Sequence, residues 1–578
     1  MERRVLLAVF LSFLVLFVYQ AIFAPPTRPP AQPTEAPEGA LPPTPEARPV
    51  ESAPAQPAVP VEPQSAPAAL LAAAAERGVR VETDDVEAVF SNRGGVLQSY
   101  RLKRYLDQDG VPLELVTSDV PPGTVRPFAL QVPDPALTSR LAAALFKSSV
   151  EELDLSGNRD GSLTFEFADE GGLTARKIFR FAPGTQPYVI GFTAVVENAG
   201  QSLNPAVLWG PGIGSGVNTS GASYYTPPRP VLFRDGKVAR LKASALASEP
   251  RYEGVFPFAG VEDHYFLVAD VNGGRQVTIE YEPQPLPTAS HAERTLFSFV
   301  VRYPDGPSDT RYFLGPKDFD ILETVQPDLV RAIDYGIFAW LVVPLLRALK
   351  WIDGFVGNYG WSIIILTVLI NVVIGPLRHK SVVSMRKMQE IQPEVKAVQE
   401  RYSKLKATDP ARQKMNAELM NLYRERGVNP ASGCVPMLLT LPVLFAFYSL
   451  LSVAIELRGA PFVGWIHDLS APDPLYVTPI LMGVTMLIQQ KMTPSAADPT
   501  QQKVMMVMPV MFTVMFLWAP SGLVLYWFMS NLCGIAQQQI TNTLIGPPRV
   551  RVARPPAERR MKRVGAGKTE QAAKDEKS

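Results

Sequence analysis

The chain has 578 residues, of which 56 are Pro, 19% are charged and two are Cys, and its net charge is +1. Two cysteines, Cys434 and Cys533, both inside apolar runs, exclude a disulfide framework and a cysteine-based zinc site. A proline content roughly twice the usual, with few charges, excludes a uniformly soluble enzyme, and the near-zero net charge conceals a strong asymmetry between segments.

Residues 5–23 are nearly uncharged behind Arg3 and Arg4, longer than the apolar core of a cleavable signal, so 1–24 is predicted to be an uncleaved transmembrane anchor. Residues 24–68 hold 15 Pro among Ala, Glu, Gln and Thr and cannot bury enough apolar surface to offset ordering entropy. The linker 25–77 is therefore predicted as a disordered tether. From residue 78 the pattern changes to short alternating runs, such as 173–181, 188–196, 277–281 and 295–303, punctuated by Gly and Pro. That pattern predicts a large all-β sandwich over 78–320. Its histidines, His264 and His291, have no ligand spacing, so no metal site is expected. Gly210-Pro-Gly-Ile-Gly-Ser-Gly216 does not fit the dinucleotide fingerprint and no helix pattern follows it, which leaves a strand-connecting turn. In 321–360 the apolar residues are interleaved with Arg347, Lys350 and Asp353, as expected of an amphipathic interfacial helix, although Pro344 lies inside it.

Five further apolar runs, 361–377, 433–454, 475–490, 504–519 and 521–540, contain no acid or base. They predict span two at 361–378 and spans three to six within 433–541. A hydrocarbon layer of about 30 Å wants about 20 helical residues, so the shorter runs need a thinned bilayer or burial against neighbours. Between spans two and three, 379–432 carries 11 basic residues against six acids, and the tail 542–578 carries ten against four. The loop 456–474 has only Arg458 against three acids. The positive-inside rule then places both basic segments in the cytoplasm, giving six spans with both termini inside and 78–320 exported.

The segment 379–432 reads as a helical hairpin broken near 408–410, with Asp409 as N-cap and Pro410 at the first helical position. Met385, Met388, Gln392, Val395, Tyr402 and Leu405 form a stripe answered by Met415, Leu419 and Leu422. Either the two arms bury their own seam, or the adaptable methionines receive apolar segments of other chains. The basic face is either simply solvated or suited to anionic lipid and ribosomal RNA. The tail, read as disordered, contains Gly565-Ala-Gly-Lys-Thr569, but Lys562 stands where a phosphate-binding loop needs Gly, so no means of hydrolysing nucleotide is visible.

Thr367, Asn371, Thr440, Tyr448, Thr485, Gln489, Gln490, Thr513, Tyr526, Asn531 and 537–539 place amides and hydroxyls in or at the ends of the apolar runs. They serve either as helix-to-helix hydrogen bonds, worth about 0.6 kcal/mol each, or as the lining of a wet cavity. Their lack of charge argues against an ion-coupled transporter.

Phe355-Val-Gly-Asn-Tyr-Gly-Trp-Ser-Ile-Ile364, Val428-Asn-Pro-Ala-Ser-Gly-Cys-Val-Pro436, Glu456-Leu-Arg-Gly-Ala-Pro-Phe462, Trp465-Ile-His-Asp-Leu-Ser470, Pro479-Ile-Leu-Met-Gly-Val-Thr485, Asp498-Pro-Thr-Gln-Gln-Lys503 and Pro520-Ser-Gly-Leu-Val-Leu-Tyr526 together resemble the YidC and mitochondrial oxidase-assembly family of membrane protein insertases. Gly260-Val-Glu-Asp-His-Tyr-Phe266 and Tyr312-Phe-Leu-Gly-Pro-Lys317 resemble its periplasmic β-supersandwich. The resemblance implies a polytopic α-helical inner-membrane protein, not an enzyme, with a five-helix core around a hydrophilic groove open to cytoplasm and lipid. It implies nascent membrane proteins as substrates and membrane lipids as surroundings. It also implies the ribosome as a partner through the hairpin and basic tail, and work alone or beside the Sec translocon (SecYEG, SecDF), with no cofactor and no small-molecule substrate. Groove or substrate contacts are expected from Thr367, Asn371, Arg378, Thr440, Gln490, Thr513, Tyr526, Trp527 and Asn531, and hairpin contacts from Met385, Met388, Met415 and Leu419. The family commonly has a cation where this chain has Asn371, and Arg378 lies seven residues on, on the same helical face. A secondary transporter and a membrane-anchored periplasmic binding module are the alternatives; the first calls for inverted repeats and intramembrane carboxylates, the second has no need of polar-dotted spans.

Overall fold

The computed structural model describes residues 69–545 apart from 108, 119, 122, 215–225, 273, 289–290, 403–410, 429–434 and 494–498. The anchor 1–24, the basic tail, most of the linker, the hairpin tip and Leu405 lie outside the described residues. Except for 499–501, the described residues belong to one structural unit, Ala66–Ala497 with Gln502–Ser578.

Among the described residues the strands form three hydrogen-bonded sheets, of eleven, five and five strands. In the largest, Leu173–Phe181 pairs antiparallel with Gly161–Asp169 on one side and Val189–Asn198 on the other, and the latter pairs with the distant Thr310–Pro316. Strict alternation sends Leu163, Phe165, Phe167, Ala175 and Phe179 inward. Phe128 lies at the centre, with ring centroids 5.2 Å from Phe179, 5.1 Å from Phe192 and 5.2 Å from Tyr312. The sheet also takes in Ala69–Leu71, ahead of the expected boundary at 78, because this short strand pairs with Gly161–Asp169.

After the last strand, Asp318 caps helix α1, Phe319–Val325, accepting from the Asp320 and Ile321 N–H groups. Helix α2, Ala339–Val356, follows, and ends on Gly357 in the left-handed conformation that a residue lacking Cβ adopts freely. It buries Val342, Leu345, Leu346, Leu349 and Ile352 and leaves the large apolar Trp340, Trp351 and Phe355 exposed. Pro344 sits within its first two turns.

Helix α3 runs without interruption from Tyr359 to Arg401, so the segment predicted as span two and the first hairpin arm are one 43-residue helix. Asn358 caps it by accepting from the Trp361 N–H, 3.1 Å. The helices that follow it among the described residues are α4 (Ala411–Glu425), α5 (Val435–Val453), α6 (Val477–Met492), α7 (Pro499–Met515) and α8 (Ser521–Ile545). Each of the five C-terminal apolar runs thus forms helix. By length and composition α3 is the one described helix able to cross a bilayer, and Pro442–Val453 and Met505–Trp518 are shorter apolar helices. Their outward faces are apolar: Trp361, Ile365, Leu369 and Val372 on α3, and Ile480, Val484 and Ile488 on α6, recur at helical spacing and stay exposed. Such stripes are costly in water and suit lipid.

The β part rests on the outer ends of these helices. His264 Nε2 donates to the Ser452 carbonyl at the end of α5, 2.8 Å, and Arg458 Nη2 donates to the Leu106 carbonyl, 3.0 Å, with its guanidinium 5.3 Å from the Phe266 ring. Lys350 of α2 ties three elements together, lying 3.5 Å from Asp318, 2.5 Å from Asp320 and 3.2 Å from Glu456. Burial pushes its ammonium down, but the Glu456 and Asp318 carboxylates outweigh this and raise it above the usual lysine range.

The loop between α5 and α6 is organised by Asp473. Its carboxylate accepts from Trp465 Nε1 (2.8 Å), the Leu475 N–H (2.9 Å), and the Thr478 N–H (2.7 Å) and hydroxyl (2.8 Å). Burial pushes this carboxyl up, yet the donated bonds prevail and hold it below the usual range. The linkage sign follows: the group contributes stability above its unfolded pKa of about 3.9 and loses it as pH falls through the lower folded value. Asp473→Ala, which strands buried donors, should lower stability by about 1–3 kcal/mol. The change should be read as a lower thermal midpoint in detergent and faster tryptic cleavage at Arg458. An unchanged midpoint at neutral pH would show that the loop is held by something else.

Candidate functional site

Helices α3, α6 and α8 converge along a strip of polar side chains. On α3, Thr367 is fully buried and its hydroxyl returns to the Ile363 carbonyl, 2.6 Å. One turn on, Asn371 Nδ2 donates to the Thr367 carbonyl, 2.8 Å, while its Oδ1 accepts from Arg378 Nη1, 3.0 Å. Seven residues bring the two side chains to one face, and the arginine stem reaches back over the intervening Pro376 to close the bond. No carboxylate pairs with Arg378 among the described residues.

The opposing wall is α8, and it lacks side chains where room is needed. A Cβ at Gly534 would lie 2.2 Å from Gln489 Nε2 of α6 and 3.6 Å from Arg378 Nη1, so the glycine admits both polar groups to the crossing. Asn531, 5% exposed, donates through Nδ2 to the Met482 carbonyl and to Thr485 Oγ1, each 3.3 Å, binding α8 to α6. Toward the other end, Gln537 Nε2 donates to the Gly375 carbonyl (2.6 Å), His379 Nδ1 meets Thr541 Oγ1 (3.2 Å), and Arg386 donates to Asn542 Oδ1.

The expected site residues divide in consequence. Thr367, Asn371 and Arg378 share one polar track, and Asn531 completes its far wall. Thr513 on α7 bonds its own Pro509 carbonyl, 2.8 Å, and faces α6, where a Cβ at Gly483 would lie 2.0 Å from its hydroxyl. Tyr526 stacks on Phe447 of α5 at 4.3 Å, whereas Trp527 turns toward Phe512 and Phe516 of α7, 5.7 and 4.9 Å away. Thr513 and Trp527 therefore line helix contacts, whereas Tyr526 also stands within electrostatic reach of Arg378. Gln490 is half-buried on α6. Thr440 lies in α5, but its side chain is outside the described residues.

In the hairpin, Ile391, Val395 and Val428 form a small core with Met388, Leu419, Leu422 and Tyr423 packed against it. Met388, Val395, Leu419 and Leu422 thus fill the predicted seam, while Met385 and Met415 are half-buried outside that core. The residues that sequence reasoning passed over are Ile391, Gly534, His379, Arg386, Thr541 and Asn542. A signal existed for part of this set: Asn531, Gln538, Thr541 and Asn542 recur at seven, three and four, one polar stripe on an otherwise apolar helix. No grouping of three or more His, Cys, Asp or Glu that could hold a metal occurs among the described residues.

Residues 351–547 match the family model of the 60Kd inner membrane protein, and 78–348 match that of the YidC periplasmic domain. The chain is 39% identical over 571 residues to a membrane protein insertase YidC of Geobacter metallireducens, covering 94% of this chain and 99% of that one. It is 36% identical over 551 residues to the corresponding protein of Geotalea daltonii, again with 94% and 99% covered. The crystal structure of an active YidC insertase with its first transmembrane domain resolved aligns at 18% identity and TM-score 0.33, over 82% of this chain and 94% of that one.

Proposed function

This chain belongs to the YidC family of membrane protein insertases, and from that premise we propose how it inserts proteins into the inner membrane: through the polar track between α3, α6 and α8, by shortening the low-dielectric path for a substrate's polar tail. The β part is the periplasmic domain of this family and the helices its membrane part. Six spans with both termini in the cytoplasm are the arrangement that the distribution of Lys and Arg supports.

A charged residue at the centre of a membrane helix costs about 2.5–3.5 kcal/mol on insertion scales. A wet track replaces hydrocarbon by amides, hydroxyls and one guanidinium, and removes much of that barrier. The apolar part of the substrate then leaves sideways into lipid, and the membrane potential assists acidic tails moving outward. No covalent chemistry is required, so the protein acts without catalysis. Nascent membrane proteins are the substrates; the basic hairpin and tail suit the ribosome and anionic lipid, and the chain works alone or beside the Sec translocon.

The observation that carries this reading is the Arg378 to Asn371 bond. The pair puts a cation without a carboxylate at the position where acidic tails would need attraction, in place of a cation at 371 itself. Thr367, Asn531 and Gln490 extend the polar lining, and Thr513, Tyr526 and Trp527 flank it. Arg378→Ala should slow insertion of acidic-tailed substrates several-fold more than neutral-tailed ones, and Asn371→Arg in that background should restore insertion of the acidic-tailed class. Arg378→Lys should be tolerated, because a point charge suffices where no bidentate partner is present. Wild-type rates for both classes in Arg378→Ala, measured by protease protection in depleted cells, would mean that hydration and bilayer thinning act alone.

A further inference from the structure

The periplasmic domain contains a cleft of about 370 Å³ that the insertion route does not use. Glu76, Arg93, Gln98, Thr124, Arg126 and Lys177 supply its polar lining, and Val96, Val125, Leu130 and Leu141 its apolar lining. One carboxylate thus stands among three cations. Glu76 is already engaged by Arg93 Nε, 2.7 Å. Lys177 is fully committed: its ammonium donates to the carbonyls of Gly94 (2.6 Å), Gly95 (3.1 Å) and Phe128 (2.8 Å).

Arg126 is placed differently. Nη1 donates to the Thr117 carbonyl, 2.7 Å, which fixes the guanidinium, and no carboxylate lies within 4 Å of it among the described residues. The nearest acidic influence, Glu114, is occupied by the Tyr100 and Val116 N–H groups, 2.7 and 3.0 Å, and by Ser99. Partial burial pushes the Arg126 guanidinium down from its usual value, as expected of a cation held without a counter-ion. The cleft also runs beside a free sheet edge. Ala129–Gln131, two of whose residues line it, is the last strand of its five-stranded sheet and pairs with Ala206–Trp209 alone among the described strands, with the Ala129 N–H given to the Arg126 carbonyl, 3.2 Å.

We propose that this cleft binds an extended polypeptide segment carrying a carboxylate side chain, adding it along Ala129–Gln131 with the carboxylate on Arg126. An extended chain offers backbone groups to a free edge and alternates its side chains, so that apolar ones meet Val96, Leu130 and Leu141 while a single acid meets Arg126. Translocated loops are depleted in Lys and Arg by the positive-inside rule, so the exported tails of inserted proteins have the matching charge. This substrate class rests on the insertase reading above, whereas the binding itself is measurable without insertion.

The test uses the full chain in a neutral detergent and fluorescein-labelled Thr/Val-rich decapeptides with one central Asp or Asn, read by anisotropy. The Asp peptide should bind about tenfold more tightly, the scale of one charge-assisted hydrogen bond. Arg126→Gln should erase the difference while leaving the thermal midpoint near wild type. Gln98→Trp, at an exposed position on the cleft wall, should weaken both peptides by filling the space. Equal affinity for the two peptides, or a difference that survives Arg126→Gln, overturns the proposal. So does displacement of the Asp peptide by phosphatidylglycerol but not by unlabelled peptide, which would make the cleft a lipid headgroup site. Absence of any peptide binding by wild-type protein that inserts normally in cells would sink this inference and leave the insertase reading standing.

Discussion

Deleting residues 385–420 is expected to abolish growth of cells depleted of the native protein, with loss of insertion of small membrane proteins by protease protection. The hairpin buries a core of its own, Ile391, Val395 and Val428, so its removal should not unfold the membrane part. It takes away Met385, Met388, Met415 and the exposed Met420, the adaptable apolar surface a substrate would meet first, together with most of the basic residues between α3 and α5. It also takes away Arg386, which anchors the hairpin's base to Asn542. Deletion of 78–309 should be less severe. That cut leaves Thr310–Pro316 without either neighbour, exposing Tyr312, Phe313 and Leu314, so it is better carried through residue 316. Asp318 then remains for Lys350. A hairpin-less chain that complements beside a domain-less chain that does not would move the function out of the membrane.

Lys350→Met is expected to destabilise the protein by about 3–5 kcal/mol, the cost of leaving a buried carboxylate uncompensated. Glu456 would be that carboxylate: its side chain is 6% exposed, and burial and Asp318 already push its pKa up. The raised pKa of Lys350 gives the pH sign. The stability it contributes is complete below its unfolded pKa of about 10.4 and is lost as pH rises through the folded value. Adding Glu456→Gln to Lys350→Met should recover much of the loss, because the double change removes the stranded charge. If the double variant melts as early as Lys350→Met alone, packing of the lysine stem rather than charge holds α2 to the loop after α5.

Local patterning carried much of the architecture. Leu173–Phe181 occupies the alternating run read from sequence, and the five C-terminal helices overlie the five apolar runs, because periodicity and burial on one face are local properties. Pairing partners are not local. That Thr310–Pro316 inserts beside Val189–Asn198 depends on contacts more than a hundred residues apart, so the division of the predicted sandwich into three hydrogen-bonded sheets could not be read from alternation. Lys177 shows the same limit at one residue: alternation assigns it inward, and only three carbonyls from two other segments make a buried ammonium tolerable. In the candidate site, Asn371 and Arg378 were readable together because they share one helix. Arg386 with Asn542, and Gln537 with Gly375, join residues from opposite ends of the membrane part and became visible only once α3 and α8 lay side by side.

The continuity of α3 has a mechanical consequence. At about 1.5 Å per residue its 43 residues make a rod of roughly 65 Å, twice the thickness of the hydrocarbon layer. Its outer end is pinned by the Asn358 cap, whose amide also donates to the Pro461 and Phe462 carbonyls, 3.2 Å each. These bonds resist sliding of the rod along its axis. Pro376 and Pro393 each remove one rung from the backbone ladder, and they set where bending concentrates. The first of them lies between Asn371 and Arg378, so bending there changes the span of that hydrogen bond.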